Sequence, residues 1–280
     1  MNLYDQLLQL QVIHNAYTMW ANYRKQLTDY LIQHTQEGSS LAILGAGRCN
    51  DLDLKKLATH FKTITLIDKD EGALKEGLTL YELEHSPNVL TKEVDFVGIT
   101  PKDYRHYADT LVNKVRESGM NTSIEDLAST GQVYLEYLFN KTLRLPLELG
   151  EELYDYTVVV GVHSQLISML EWIWRIILET INQDEETVRD TLMYMNDAAV
   201  QKLNEAVFKV TRDTVFMGFE KERLGRVGTI QGAIQGVEDI ESRIKREKVK
   251  CVDLLHIQWP FNEAEGVSFN MALYQLKKNR

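Results

Sequence analysis

Leu41-Ala42-Ile43-Leu44-Gly45-Ala46-Gly47-Arg48-Cys49-Asn50-Asp51 is the stretch that decides the fold. Four apolar residues in a row, after the break at Glu37-Gly38-Ser39-Ser40, predict a short strand buried on both faces, as in the middle of a parallel sheet. Two glycines then allow a tight turn, and Asn50 or Asp51 is placed to cap a helix running to His60. Thr63 to Ile67 predicts a second buried strand that ends at Asp68. Strand, glycine turn, helix and strand make one parallel unit.

The pattern repeats downstream. Glu71 to Leu83 reads as a helix and Val89 to Val97 as a third strand carrying Asp95 near its end. A fourth buried strand, Thr157 to Val160, closes on Gly161-Val162-His163-Ser164 and precedes helices over Leu166 to Thr180 and about Glu185 to Phe208. Thr214 to Phe219 gives a fifth strand, and a charged helix covers about Ile230 to Lys248. Cys251 to Gln258 and Val267 to Leu276 are joined by a turn-rich link too short for a crossover helix, which implies an antiparallel hairpin. Upstream, the apolar spacing from Leu7 to Leu31 predicts one or two amphipathic helices, and residues 101–152 hold two helical patterns and no strand signal. The expected fold is therefore α/β: a doubly wound, mostly parallel seven-stranded sheet with a terminal antiparallel hairpin, an N-terminal helical cap over residues 1–40, and a main domain over 41–280 that carries a helical insertion at about 101–152.

A chain of 280 residues with 44% hydrophobic composition can bury a large core. Its formal charge of -10 argues against a broad phosphate-binding face, and the basic residues Arg243, Lys245, Arg246, Lys248 and Lys250 are interleaved with Glu241 and Glu247 as on a solvated helix. Two cysteines, Cys49 and Cys251, are too few for a disulfide framework or a thiolate zinc site, and the seven histidines show no paired-ligand spacing, so no metal is expected. The first thirty residues lack a secretory pattern, and the most apolar segment, Leu166 to Leu178, is interrupted by Glu171 and Arg175, so a cytoplasmic protein with no membrane span is expected. The oligomeric state is not legible.

Open parallel sheets bind ligands beyond the carboxyl ends of their strands. Gly45 and Gly47 suit close backbone approach by a nucleoside, although a glycine pair also serves an ordinary strand-to-helix turn. Asp68 follows Gly47 by 21 residues (68 minus 47), the separation at which an acid reaches ribose hydroxyls, although it would equally cap a helix. Asp95 is placed to accept a hydrogen bond from an adenine amino group while Phe96 or Val97 covers the ring, or to be a solvated turn acid.

Residues 41–51 resemble the first motif of class I S-adenosylmethionine-dependent methyltransferases, and Thr65-Leu66-Ile67-Asp68 is similar to the second. The closing hairpin resembles the reversed seventh strand of that fold, and residues 101–152 have no counterpart. The resemblance implies S-adenosylmethionine as cofactor, held by Leu44, Gly45, Ala46, Gly47, Cys49, Asn50, Asp51, Asp68, Lys69, Asp95, Phe96, Gly161 and Val162. The family usually has glycine where Cys49 stands. A nicotinamide dinucleotide reading is weaker, because its third glycine would fall at Asn50.

In such a fold the residues after the fourth strand, Gly161 to Gln165, face the transferred methyl, and His163 is the candidate general base because its ordinary pKa suits proton acceptance near neutrality. A histidine bonding backbone at a strand end fits the same position. The Asn/Asp-Pro-Pro-aromatic motif that enzymes of this resemblance use on exocyclic base amines or glutamine is absent, which argues further against nucleic acid N-methylation, and a small-molecule or peptide-like acceptor is expected. Trp20, Tyr23 and Arg24, with Tyr104, Tyr107, Tyr134 and Tyr137, either wall an acceptor pocket or belong to the core. A non-catalytic module that binds an adenosyl ligand as a sensor or assembly partner is the competing expectation.

Overall fold

The computed structural model describes residues 2–119, 122–151, 153–225 and 230–279, so the predicted limits at 1, 152 and 280 lie outside the described residues. Two compact units are present. One comprises Met1–Ile13, Phe96–Pro146 and Gln165–Val200, and the other His14–Asp95, Leu147–Ser164 and Gln201–Arg280.

The second unit holds the sheet. Its strands are β1 (Ser40–Leu44), β2 (Thr63–Asp68), β3 (Val89–Glu93), β4 (Tyr154–Val160), β5 (Thr211–Leu224), β6 (Val249–Asn262) and β7 (Val267–Lys278). They lie in the order β3-β2-β1-β4-β5-β7-β6. β1 pairs in parallel with β2 and β4, and β4 with β5, whereas β7 runs antiparallel to both β5 and β6. Leu41, Ala42, Ile43 and Leu44 are buried, as a central parallel strand requires. The expected seven-stranded sheet and reversed hairpin are both present.

Four elements depart from their expected bounds, each for a physical reason. β3 stops at Glu93, because the apolar residues beyond it are drawn into other packing; Phe96, Val97 and Ile99 are buried in the first unit, and Asp95 therefore lies past the strand. The helix after β1, α4 (Leu54–His60), is capped by Asp53, whose carboxylate accepts from the Lys56 N–H, and not by Asn50 or Asp51. A left-handed bend at Cys49 (φ 52°), closed by the Cys49 N–H on the Ala46 carbonyl at 2.7 Å, delays the helix by one turn. β5 and β6 outrun their predicted lengths because the long β7 ladder pairs with β5 as far as Leu224 and with β6 from Val249 to Asn262, while Thr211 at the start of β5 pairs with Tyr154 of β4. β6 keeps two register breaks, at Cys251/Asp253 and Trp259/Asn262.

α3 (Ala21–Gln33), α5 (Glu71–Leu80) and α10 (Gln231–Lys245) complete the sheet unit, with the short α2 (Ala16–Met19) before them. Thr28 of α3 accepts the Asp53 N–H at 2.9 Å, fixing the leader helix to the start of α4. Leu27 and Leu31 of α3 are fully buried.

The first unit is helical: α1 (Leu3–Leu10), α6 (Pro101–Ser118), α7 (Ile124–Arg144), α8 (Ser168–Ile181) and the first part of α9 (Thr187–Val210). Thr100 and Asp103 form a reciprocal capping box at the start of α6, with Pro101 in the first turn. Tyr4 of α1 stacks on Tyr104, and Gly131 of α7 admits Trp174, Val188 and Leu111 close to its backbone. Among the described residues no helix is long and apolar enough to cross a membrane.

Candidate functional site

Chain geometry brings the glycine loop and the second-strand acid into direct contact. The Gly47 N–H donates to Asp68 Oδ2 at 2.9 Å, and the Asp70 N–H donates to Asp68 Oδ1 at 2.9 Å. Gly45 and Ala46 donate to the Ile67 carbonyl at 2.8 and 3.3 Å, so the loop is folded onto the end of β2. Gly45 and Gly47 both have positive φ, 68° and 48°. Their surroundings differ. A side chain at Gly45 would strike Val162, whereas a Cβ at Gly47 would have nothing within 4 Å. The loop thus packs on one side and faces open space on the other.

Arg24 stiffens this loop from α3. Its Nη1 donates to the Tyr17 carbonyl at 2.7 Å and the Asn50 carbonyl at 2.9 Å, and its guanidinium lies 4.0 Å above the Tyr17 ring. Tyr81 Oη donates to the carbonyls of Cys49 and Leu52. Cys49 is buried under the loop, and burial first, then the Asp51 and Asp68 carboxylates, push its thiol far up, so it is an inert thiol. Asp51 is half-buried; desolvation raises its acid to about 6 against a backbone hydrogen bond and the Arg24 charge, which lower it.

The other predicted residues are distributed as follows. Leu44 and Ala46 are buried, Asn50 is half-buried, and Lys69 is exposed beside Asp68. Asp95 is half-buried in the sheet unit, and Phe96 opens the helical unit. Gly161 (φ 64°) and Val162 follow β4, with Val162 against Gly45.

The sheet order now decides the architecture: β7 is inserted in reverse between β5 and β6, and the glycine loop and its acid meet at the carboxyl ends of β1 and β2. The chain has the Rossmann-like fold of class I methyltransferases. Solved structures with this likeness include the N-methyltransferase NodS from Bradyrhizobium japonicum WM9 in complex with S-adenosyl-L-homocysteine, at 12% identity over 100% of both chains with a TM-score of 0.48. Magnesium protoporphyrin IX methyltransferase (ChlM) from Synechocystis PCC 6803 with bound SAH shares 10% identity over 96% of this chain and 89% of its own, with a TM-score of 0.49. A SAM-dependent methyltransferase from Aquifex aeolicus shares 8% over 97% of each chain, with a TM-score of 0.44. At such identities the likeness concerns chain path alone. No protein-family profile and no curated protein matches the sequence.

His163, the expected base, is sealed from solvent. Its Nε2 meets Asn204 Oδ1 at 2.8 Å, Asn204 Nδ2 donates to Asp239 Oδ2 at 2.8 Å, and Arg243 Nε donates to the same oxygen at 2.6 Å. Because Asp239 only accepts, it fixes the Asn204 amide, whose oxygen in turn requires the proton on Nε2 of His163. Nδ1 is left as a buried lone pair without a partner. Burial lowers the imidazole to about 4, outweighing the Asn204 bond and the Asp239 charge, so the ring is neutral. Arg243 is largely buried in this network, a correction to its reading as part of a solvated face, while Lys245, Arg246, Lys248 and Lys250 are exposed.

The aromatic candidates separate. Tyr104 and Tyr107 are core residues of the helical unit and Tyr137 is exposed. Trp20 and Tyr23 are buried in the sheet unit against Trp259. Among the described residues no group of three or more His, Cys, Asp or Glu side chains could hold a metal ion.

Proposed function

We propose that this chain is an S-adenosylmethionine-dependent methyltransferase acting on a small-molecule or peptide-like acceptor. One observation carries the reading: Gly47 donates its N–H to Asp68 while the space a side chain would occupy at that glycine is open. Each Asp68 oxygen holds one backbone N–H, and a carboxylate oxygen has further lone pairs, which suit the two hydroxyl protons of a ribose. The residues therefore fit an adenosyl group. When bound, the cofactor supplies an electrophilic methyl on a sulfonium. The protein's own part is to orient the acceptor, exclude water and hold its proton.

Calorimetric titration with S-adenosylhomocysteine tests this. Binding is expected in the parent, and Asp68→Ala is expected to weaken it by about 1 to 3 kcal/mol, the range of a hydrogen bond to a charged group. Absence of binding by folded parent protein would overturn the proposal.

Asp51 is proposed as the partner of the cofactor's ammonium. An ammonium needs the ionised carboxylate, so affinity is expected to be full above the Asp51 value of about 6. Below it, affinity should fall by about tenfold per pH unit. Asp51→Asn should give a weaker affinity with a flat profile; an unchanged slope in that variant would remove the residue from the site.

The competing reading, an adenosyl-binding module without turnover, draws on the sealed ring of His163. Formation of S-adenosylhomocysteine with any acceptor of a metabolite panel would exclude it.

A further inference from the structure

The cofactor loop carries one strained residue, and α5 is built against it. Cys49 has φ 52°, a left-handed conformation in which a side chain crowds the following carbonyl. Its N–H closes on the Ala46 carbonyl at 2.7 Å the four-residue turn that contains Gly47. The bend at Cys49 and the Gly47 N–H that meets Asp68 therefore belong to one local structure. Tyr81, at the C-terminal end of α5, is 2% exposed and shares its hydroxyl proton between the Leu52 carbonyl at 2.7 Å and the Cys49 carbonyl at 3.1 Å. One turn earlier on the same helix, Gly77 lies against the loop backbone. A Cβ there would stand 3.0 Å from the Arg48 carbonyl oxygen and 3.1 Å from its carbon.

Position 77 is inside a helix, where alanine is the better helix former. The glycine instead leaves room for the Arg48 carbonyl, which belongs to the peptide group that sets the Cys49 φ. A strained backbone persists only where its surroundings over-determine it, and such spots gather at ligand-binding sites. Three consecutive carbonyls are held here: Arg48 rests on Gly77, Cys49 accepts from Tyr81, and Asn50 accepts from Arg24 at 2.9 Å. Among the described residues the other non-glycine positions with positive φ are Glu82, Asn182 and Glu247. Each of those sits at or just past the C-terminal end of a helix, where a left-handed residue closes the last turn. Only Cys49 is strained inside the candidate site.

We propose that Tyr81 and Gly77 are positioning residues: α5 holds Cys49 in its left-handed bend and thereby presents the Gly47 N–H and Asp68 in the form that receives the adenosyl group. What the loop receives rests on the methyltransferase reading, and how it is held rests on the contacts alone. Without the Tyr81 hydroxyl, Cys49 relaxes out of the left-handed region and the turn from Ala46 opens. Only a fraction of the molecules then keeps a binding-competent loop, and the apparent affinity falls by that fraction. Glycine populates positive φ about as readily as negative φ, so a glycine at position 49 needs no such hold. The dependence on Tyr81 is therefore a property of the cysteine and disappears with it.

The test is titration calorimetry with S-adenosylhomocysteine on the parent, Tyr81→Phe, Cys49→Gly and the double variant. Tyr81→Phe should weaken binding by about tenfold in the parent, the factor to which a left-handed penalty corresponds, and by less than about twofold in the Cys49→Gly background. A tyrosine with a merely structural role would lower stability alike in both backgrounds and leave affinity alone. Gly77→Ala covers a folding failure of Tyr81→Phe. Helix propensity by itself would make that variant more stable with unchanged affinity, whereas displacement of the Arg48 carbonyl should weaken S-adenosylhomocysteine by at least about threefold. Amide spectra of the ligand-free proteins give a second readout: the Gly47 resonance should move with Tyr81→Phe or Gly77→Ala in the parent, and Tyr81→Phe should leave it in place in the Cys49→Gly background. Parental affinity in both folded variants, or an equal loss with Tyr81→Phe in both backgrounds, would overturn the proposal. Failure of the parent to bind S-adenosylhomocysteine would sink the cofactor reading, and the Gly47 resonance would still decide how the loop is held. If it stays in place in both variants, or moves alike with Tyr81→Phe in both backgrounds, α5 does not position the loop.

Discussion

Gly45→Ala is expected to lower the stability of this protein by about 3 kcal/mol. A side chain in the left-handed region is disfavoured by about 1 to 2 kcal/mol, and Gly45 has φ 68°. The added methyl would also lie 2.3 Å from Val162 Cγ2. Valine has one strongly preferred rotamer and cannot swing aside cheaply, so the strain of overpacking, about 1 to 3 kcal/mol, adds to the backbone term. Gly47→Ala shares the backbone penalty, at φ 48°, but meets nothing within 4 Å. It should therefore lose only about 1 kcal/mol of stability, and any further effect should appear in ligand binding. Urea unfolding of the two variants checks the contrast, and Val162→Ala in the Gly45→Ala background should recover part of the loss. Equal destabilisation by both substitutions would contradict the packing described here.

The second large effect is on acid stability. In the unfolded chain His163 carries the ordinary imidazole value of 6.5, and in the folded protein burial lowers it to about 4. Between those values the unfolded state binds the extra proton, so native stability is full above about 6.5 and is lost as the pH falls toward 4, by about 3 kcal/mol at roughly 1.4 kcal/mol per pH unit. Asp51, raised to about 6, and Glu220, also raised, act in the opposite sense, because for them the folded state takes the proton first. Their opposing contribution is common to parent and variant. His163→Gln isolates the imidazole: relative to the parent, the variant should gain about 3 kcal/mol on going from neutral pH to pH 4. A parallel pH dependence for the two proteins would show that the ring is hydrated or already charged.

The two glycines, the buried strands β1, β2 and β4 and the reversed hairpin were legible because each is a local pattern: an apolar run, a turn residue, a link too short to cross over. Asp68 was legible through its distance from the loop. The start of α4 was misplaced because Cys49, a residue that rarely adopts positive φ, provides the extra bend. The end of β3 was misplaced because apolar residues that would suit a strand are used for packing among helices. Asn204 and Glu220 left no signal, since the first reaches His163 across 41 residues and the second reaches Ser164 across 56. Arg243 was read as part of a solvated face, and only the fold shows that it is largely shielded and holds Asp239, one helical turn earlier, whose carboxylate accepts from the Asn204 amide.

β6 is the outermost strand beyond β7, and its far side is a row of backbone groups that another chain would be able to extend. The interruptions at Cys251/Asp253 and Trp259/Asn262 divide it into short lengths whose peptide groups no longer point along one line. A visiting strand of regular pitch would fall out of step after a few residues. The same irregularities that let a fourteen-residue strand follow its partner therefore also guard the protein against polymerising through its own border.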